Sequence, residues 1–346
     1  MMRVPAIVRM PIVALLACGV VASCSRVTGL PAVPDSVTRR EAGLSGIEKF
    51  ADEAHGFMRP LTDAERARFA TEPPMALVDQ ARAAIDRLAR GDRSGGLRAF
   101  SALVEANPGD LVLGNAFRMH VYRQKREFLL AARARGERSP AFPDELKDEP
   151  LATLKRTEAA NSTREVRIQI ALAYVDRMML DPALEVRAPA SIDSVHAFTT
   201  VLTSDPYDVP ALVGRGLNHL NRPRRLVWPE HPAPPENAAS RDLGLAAAVG
   251  AKVGGASARV KGLLLLLLAD AYAHEGKADV ARGWWTLAGE STDDRGVHDE
   301  LRIRASWPEP EIPDRLEAHL EARMEAIDEP MSDLSFLWDD SARGPW

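Results

Sequence analysis

The sequence predicts an all-α protein, and three observations carry that prediction. Of the 346 residues, 46% are apolar but only 5% are aromatic, which favours an alanine- and leucine-rich helical protein over a sandwich or barrel. Six leucines stand together at 263–268, and a helix that is apolar on every side is normally buried. The run begins after Lys261 and stops at Asp270, whereas a membrane-spanning helix needs ~20 apolar residues. We therefore expect a core helix.

The residues that follow the leucine run have the spacing of a helix–turn–helix unit. Gly276 follows Tyr272 by four positions, Ala281 follows five later, and Trp285 follows four after that. Gly276 would end the first helix because glycine accepts a left-handed backbone. Ala281 would be small because the two helices cross there, and the aromatic residues would fill the groove between pairs. This spacing resembles the tetratricopeptide repeat (TPR), a unit of ~34 residues.

A second good match to the TPR pattern lies at 76–110, with Gly96 as its small residue. The resemblance covers about 75–290 and implies an α-solenoid of about five divergent TPR-like helix pairs, which stabilise one another by stacking. The pairs are predicted at 76–110, 111–161, 164–206, 209–253 and 260–290; the second has a poor pattern and a first helix extended by two turns. The predicted repeat positions are Gly91, Phe100, Pro108, Phe198, Pro206, Tyr272, Gly276, Ala281 and Trp285.

Other segments flank the predicted repeats. We expect N-terminal helices in 46–74, and capping helices in 291–328 near 295–304 and 313–327. The tail, 329–346, has apolar residues at Leu334, Phe336, Leu337 and Trp338 among acids and prolines. It fits either a short motif that docks on a partner or a cover for the last helices, because the end of a solenoid needs covering.

The N-terminus predicts export. Arg3 and Arg9 precede an apolar stretch that ends in "VASC" at Cys24, which resembles a bacterial lipobox. The resemblance implies a signal peptide at 1–23, acylation of Cys24, and a tether at 24–45. An ordinary secretory signal is the alternative. Cys18 would be removed, and acylation would account for the lone Cys24 that remains. Ser25 is not the aspartate of an inner-membrane retention signal, which favours the outer membrane, facing the periplasm.

Two insertions are predicted between paired helices, "LDPALEVRAPA" in the third pair and "RPRRLVWPEHPAPP" in the fourth. Insertions at equivalent places in successive repeats fall on one edge, so these two should be neighbours. Arginine forks suit carboxylates and tryptophan supplies an apolar anchor, which fits a site for an anionic group or acidic segment. A structural lid, with the arginines paired to local acids, is the alternative. The candidate residues are Arg187, Arg222, Arg224, Arg225, Trp228 and His231.

No pattern for catalysis, metal or a cofactor is present in the sequence. His274 begins "HEGKA", which has Ala278 where a zincin helix requires its second histidine. No glycine-flanked serine follows a strand pattern, and the glycine pairs lack a phosphate-loop lysine. The 44 basic and 49 acidic residues give a net charge of −5, with no basic excess for nucleic acid. We predict no catalytic residue, metal or cofactor, and therefore no enzyme.

The resemblance implies binding, although function does not follow from fold alone. The leading hypothesis is a lipid-anchored adaptor or assembly scaffold for other proteins of the cell envelope. The chain also resembles, more loosely, the T-component lipoproteins of tripartite ATP-independent transporters. That likeness implies an accessory that handles a small anionic ligand. A closed pocket lined by Arg222, Arg224 and Trp228 would favour the ligand, and an open polar groove a protein partner.

Overall fold

A computed structural model of the chain describes residues 75–137, 140–181, 184–224, 237–252, 257–327 and 331–337. These residues are all-helical, with thirteen α-helices, two short 3₁₀ helices and no strand among them. The proposed signal peptide, Cys24, the tether and the helices of 46–74 lie outside the described residues. So do Arg225, Trp228, His231 and Trp338.

The helices follow the predicted segments in order. The first seven are α1 Met75–Ala89, α2 Arg93–Ala106, α3 Leu111–Ala134, α4 Asp144–Lys147, α5 Leu151–Ala160, α6 Arg164–Leu180 and α7 Leu184–Ser204. The next six are α8 Val209–Leu220, α9 Ala238–Lys252, α10 Ala258–His274, α11 Ala278–Glu290, α12 Arg295–Ala305 and α13 Ile312–Ala326. The 3₁₀ helices are Glu309–Glu311 and Ser335–Leu337.

Four of the predicted pairs pack as pairs: α1 with α2, α6 with α7, α8 with α9, and α10 with α11. The predicted second pair is the exception. Its α3 packs mainly on α6, while α5 packs on α2 and α6. Helix α3 has 24 residues and is longer than α2, which has 14, and α6, which has 17. The second pair therefore contributes its two helices separately to the packing.

The leucine run lies in the core of the protein. Leu264, Leu265, Leu266 and Leu268 are each 5% exposed or less, and Leu263 and Leu267 pack half-buried against the same core. One continuous apolar cluster extends from α3 and α6 through α13 to the tail, and a second one joins α1 to α6. Within the described residues, no helix is long and apolar enough to cross a membrane.

The first and fifth pairs turn in the same way. Gly91 has φ +87° and Gly276 has φ +82°, a left-handed backbone that favours glycine. In both turns the glycine amide donates to the carbonyl three residues back, at 3.0 Å. The next amide donates to the carbonyl five residues back, at 3.0 Å in the first pair and 2.9 Å in the fifth. The chain therefore reverses through the same geometry in these two turns.

Two links of the same kind join helices that are two elements apart, α6 to α8 and α10 to α12. Asp208 caps α8 and Asp294 caps α12, each by accepting the backbone amide three residues on. Arg164, the first residue of α6, donates to Asp208, and Arg259 of α10 donates to Asp294 at 2.6 Å. In both cases, an arginine in the first turn of one helix binds the N-cap residue of a later helix, α8 or α12.

The prediction of an irregular insertion between α6 and α7 was wrong. Helix α7 begins at Leu184 and passes through Pro189, so most of "LDPALEVRAPA" is helical. Proline within a helix removes a hydrogen bond and crowds the preceding turn, which is why the sequence favoured a loop. Ala188 and Ala190 on either side of the proline are 5% and 3% exposed. Their burial favours continuation of the helix through this position.

In the first and fifth pairs, the two residues that face each other where the helices cross have complementary side-chain sizes. In the first pair it joins Leu88 to Gly96, and the equivalent positions in the fifth pair are Ala273 and Ala281, both fully buried. A Cβ added at Gly96 would lie 2.6 Å from Cγ of Leu88 and 2.9 Å from its backbone nitrogen, and both distances are too short. A large residue faces glycine in one pair, and two alanines occupy the same place in the other.

We expect Gly96→Ala to lower the free energy of unfolding by about 1–3 kcal/mol through overpacking. Leu88→Ala alone should cost about 2–5 kcal/mol through the cavity it leaves. The double variant relieves the contact with the Leu88 side chain but keeps the one with its backbone nitrogen, so its loss should fall short of the sum by about 1 kcal/mol while staying above zero. Urea unfolding of the four proteins measures this coupling. Gly109→Ala is the control, because no atom lies within 4 Å of its added Cβ; strictly additive losses would contradict the crossing geometry.

Two partly buried histidines make stability depend on pH. Burial lowers the pKa of His120, which Arg123 lowers further, to about 4, and burial also lowers the pKa of His219 to about 4. The unfolded chain therefore takes up these protons first as the pH falls. The free energy of unfolding should reach its full value above pH 6.5. It should decline as the pH falls to about 4, by up to about 3 kcal/mol for each histidine.

Urea unfolding between pH 7.5 and 4.5 measures this decline. Over that range, His120→Gln with His219→Gln should give a flatter profile than the wild type. The carboxylate of Glu300, whose pKa is about 2, remains charged throughout it. Parallel profiles for the two proteins would show that these histidines are not the cause.

Candidate functional site: a surface that holds the tail

Helix α13 is followed directly by Ile327, whose contacts with α3 fix the end of the helix. This residue has φ +47°, a left-handed conformation that is strained for a β-branched side chain. Its side chain is 1% exposed, in a cluster with Met119 and Tyr122 of α3. Its carbonyl accepts hydrogen bonds from Arg126 Nε at 2.7 Å and from the Tyr122 hydroxyl at 3.5 Å. These contacts hold the strained residue against α3.

The tail segment 331–337 then lies on α3, α6 and α10. We call the region of α3, α6 and α10 on which it lies the tail-binding surface. On α3 and α6 this surface includes Asn115, Arg118, Asp176 and Met179, together with Gln169 beside Arg118. The Met331 amide points to Sδ of Met179 at 3.3 Å, and the 3₁₀ helix Ser335–Leu337 packs on α10. The tail therefore reaches back to helices early in the chain, well beyond the last helices that the sequence suggested it would cover.

Arg118 is the centre of the tail-binding surface. Its side chain is completely buried, and a buried charge needs partners for its donors. Nε donates to Gln169 Oε1 at 2.7 Å, and Nη1 donates to Asp176 Oδ2 at 2.7 Å. Nη2 donates to Asn115 Oδ1 at 2.8 Å and to the carbonyl of Ser332 at 2.6 Å. Three helix residues and one tail carbonyl thus satisfy a single guanidinium.

The tail completes the hydrogen bonding of this network. The Ser332 hydroxyl donates to Asp176 Oδ1, and Asn115 Nδ2 donates to Asp333 Oδ1 at 3.0 Å. The same Asp333 oxygen accepts the Ser335 amide at 2.9 Å, which fixes the turn that follows. Burial raises the pKa of Asp176, while Arg118 and the Ser332 hydroxyl oppose that rise. The tail therefore supplies a donor that helps to hold a buried carboxylate in its charged form.

The apolar half of the tail enters the main core. Leu334 is fully buried and Leu337 is 2% exposed, both within the cluster that contains the leucine run. A 3₁₀ helix has three residues per turn, so side chains three apart lie on the same side. The Leu337 amide donates to the Leu334 carbonyl at 2.9 Å, which closes that turn. The segment thus presents two leucines to one apolar face and its polar residues to Arg118.

The described arginines of the fourth-pair insertion face α13. The Arg224 amide donates to Glu317 Oε1 at 2.9 Å, and its Nη1 donates to Asp314 Oδ1 at 3.0 Å. The carbonyl of Arg222 pairs with Nε2 of His274 at 3.0 Å. At least Arg224 therefore pairs with nearby acids, which is the lid alternative raised by the sequence.

Arg187 and Arg222 both lie beside Met324 of α13. Nη2 of Arg187 is 3.8 Å from Sδ of Met324, and Met324 also lines a cavity next to Arg222. That cavity has a volume of about 10 Å³, which accommodates a single water molecule. Glu317 and Glu321 also line it, and their charge would repel an anion. This cavity does not fit a small organic acid.

The predicted repeat positions occupy the interior and the turns. Phe100, Phe198 and Ala281 are fully buried, and Tyr272 and Trp285 are 5% and 6% exposed. Pro108 and Pro206 lie in the turns after α2 and α7. The aromatic rings of the first and fifth pairs also contact later residues. The ring centroids of Phe100 and Phe117 are 5.4 Å apart, and those of Trp285 and Trp307 are 6.3 Å apart.

Sequence reasoning missed the residues of the tail-binding surface, although their spacing carries a signal. Asn115 and Arg118 are three apart in the otherwise apolar "LVLGNAFRMHVY", so they share one helix face. Gln169 and Asp176 are seven apart in "IQIALAYVD", again on one face. Buried polar groups need partners, so two such faces on core helices predict a polar contact between them.

Among the described residues, no group of three or more histidines, cysteines, aspartates or glutamates is placed to hold a metal ion. The groups around Arg118 instead bind the tail through a carbonyl, a hydroxyl and a carboxylate. Comparison of the chain with protein-family models, with curated proteins and with solved structures gives no match.

Proposed function

We propose that the protein is a lipid-anchored adaptor or assembly scaffold of the cell envelope, and that its TPR-like helix pairs bind another protein. One observation carries the proposal. The tail-binding surface holds a seven-residue segment through a buried polar network and two enclosed leucines. A surface that accommodates a short segment of its own chain has the shape and chemistry to accommodate one from a partner. The proposed role is binding, with no catalytic step.

The repeat architecture is part of the same proposal. It is supported by the equal turns at Gly91 and Gly276 and by the two links between successive first helices, Arg164 to Asp208 and Arg259 to Asp294. Regular stacking of such pairs produces an extended binding surface. In this proposal α3, α6, α8, α10 and α12 are the first helices of successive units, and α3, α6 and α10 contact the tail.

The anchor is tested by mass spectrometry of the exported protein. We expect the mature chain to begin at Cys24, to carry several acyl chains and to fractionate with membranes. Cys24→Ala should abolish both the added mass and the membrane association. An unmodified mature chain in the soluble periplasmic fraction would instead favour an ordinary secretory signal and would remove the anchor from the proposal.

The partner is tested by affinity purification of the tagged, acylated chain from detergent-solubilised membranes. The matched control is residues 1–45 fused to the same tag, which carries the anchor without the helices. We expect an envelope protein to be enriched over this control. Its retention by an Arg222/Arg224/Arg225→Ala variant would place docking away from the insertion. If no protein is enriched over the anchor control, the adaptor proposal fails.

A further inference from the structure

We infer that the tail-binding surface recognises a particular class of partner segment, and that the tail is its built-in competitor. The segment has a hydroxyl residue, then an acid, then two leucines three apart, as in Ser332-Asp333-Leu334-x-x-Leu337. The inference rests on the proposed function and names the chemistry of the partner.

The polar half of the surface sets the first two positions. Asp176 Oδ1 accepts the Ser332 hydroxyl, so this position requires a donor, and an acid there would be repelled by the buried carboxylate. Asn115 offers an amide donor to Asp333, so the second position requires an acceptor such as a carboxylate. Arg118 donates to the Ser332 carbonyl between the two side chains, and a residue of any type supplies such a carbonyl. The surface therefore selects a hydroxyl residue followed by an acid.

The apolar half sets the two leucine positions. Leu334 and Leu337 are almost completely buried, whereas Met331 and Phe336 are only partly buried against the same core. Burying one leucine side chain contributes about 1.5–3 kcal/mol. An aspartate at either position would lose that contribution and leave a buried charge. Leucine at both positions is therefore the strongest requirement of the surface.

The surface keeps most of its own hydrogen bonds when the tail leaves. Three of the four hydrogen bonds of Arg118 go to Asn115, Gln169 and Asp176, which belong to α3 and α6. Gln169 is fixed in addition by donating Nε2 to the Leu111 carbonyl at 3.0 Å. Departure of the tail exposes one donor of Arg118, one oxygen of Asp176 and the Asn115 amide. These are the groups that a partner segment would satisfy.

The tail itself is suited to exchange. Within 331–337 its only regular structure is one 3₁₀ turn, and short segments of this kind open at lower free energy than core helices. Because it is tethered, the tail competes at an effective concentration of order mM. A partner segment therefore binds the intact chain weakly and binds strongly once the tail is displaced. The competition keeps the surface covered until a partner is close by.

The test uses a fluorescent peptide with the sequence of residues 329–338, titrated into the full acylated chain in detergent. Two forms of the chain are compared, the wild type and Leu334→Asp/Leu337→Asp. The double variant cannot bury its own tail, so we expect it to bind the peptide at least tenfold more tightly than the wild type does. Peptides carrying Ser332→Glu or Leu334→Asp, and a scrambled peptide, should bind the variant at least tenfold more weakly.

A milder variant, Ser332→Ala/Asp333→Ala, covers the case in which the double aspartate variant loses its fold. It keeps both leucines and weakens only the polar contacts, so we expect tighter peptide binding than the wild type by about three- to tenfold. Circular dichroism verifies the helix content of each variant. If a folded tail variant binds the peptide no better than the wild type, or binds the scrambled peptide equally well, the inference is overturned.

The two proposals fail separately. Enrichment of an envelope protein without any binding of the peptide would leave the adaptor proposal standing and would place the partner on another surface. Specific binding of the peptide without enrichment of any envelope protein would establish the preference of the surface and remove the adaptor role.

Discussion

Replacing Asp270 by alanine should lower the free energy of unfolding by about 3–5 kcal/mol, one of the two largest effects we expect in this protein. Asp270 is 2% exposed and accepts two hydrogen bonds from Arg304, from Nε at 2.7 Å and from Nη2 at 2.6 Å. It also accepts the indole N–H of Trp285 at 2.8 Å. The substitution would leave a buried guanidinium and a buried indole donor without this acceptor.

The Asp270 pair joins the last helix pair to the helices that follow it. Arg304 of α12 also donates to Glu300, and Glu300 lies 3.0 Å from Nε2 of His319 on α13. That contact with His319, together with Arg304, lowers the pKa of Glu300 to about 2. Burial opposes the charge of Arg304, but Asp270 and then Glu300 raise its pKa above the usual value. The network therefore couples α10, α11, α12 and α13.

Asp299→Ala is the matched control, because Asp299 pairs with Arg302 of the same helix at an exposed position. Its cost should be about 1 kcal/mol or less. Replacing both members, Asp270→Leu with Arg304→Met, should recover part of the loss, because no charge is then left unpaired. Urea unfolding of the wild type and the three variants gives the free energies of unfolding to compare. A loss below ~1 kcal/mol for Asp270→Ala would mean that the last helices are not held through this pair.

The second large effect is expected at Arg118. Arg118→Met should lower the free energy of unfolding by about 3–5 kcal/mol, because Asp176 would remain buried without its cation. Ser332→Ala removes only the hydroxyl that the tail donates to the same carboxylate, and should cost about 1 kcal/mol. The two losses of unfolding free energy distinguish the contribution of Arg118, which belongs to the surface, from that of Ser332, which belongs to the bound tail.

Chemical unfolding of the two variants checks this contrast. Glu105→Ala is a control, because its pair with Arg156 is exposed and should cost about 1 kcal/mol or less. A loss for Ser332→Ala as large as that for Arg118→Met would mean that the tail is an integral part of the core. Exchange with a partner segment would then be excluded.

The sequence was sufficient for the helices but not for their full packing. The helical class and most helix positions could be predicted because the signals are local: an apolar run, a turn glycine and a small residue at fixed distances. Where a local signal was overruled, the cause was burial. Pro189 predicted a loop, but α7 continues through it and buries the alanines on either side.

The candidate site could not be predicted in the same way because its contacts are distant along the chain. Arg118 and Asp176 are 58 residues apart, and Arg118 and Ser332 are 214 apart. The spacing of Asn115 and Arg118 shows that they share a face, but nothing local names the segment that covers it. For the tail, the sequence left docking and covering open, because Leu334 and Leu337 fit any apolar face.

The most direct test of the tail-binding surface is hydrogen–deuterium exchange in the full chain. We predict that amides of residues 331–337 exchange much more slowly than those of an unstructured peptide. In Leu334→Asp/Leu337→Asp, protection should be lost in the tail and reduced in residues 111–122 of α3, while α1 and α2 stay unchanged. Exchange of 331–337 at the unstructured rate in the wild type, with exchange in α3 unchanged by the substitutions, would contradict the central claim that α3, α6 and α10 form a binding surface for a short peptide segment.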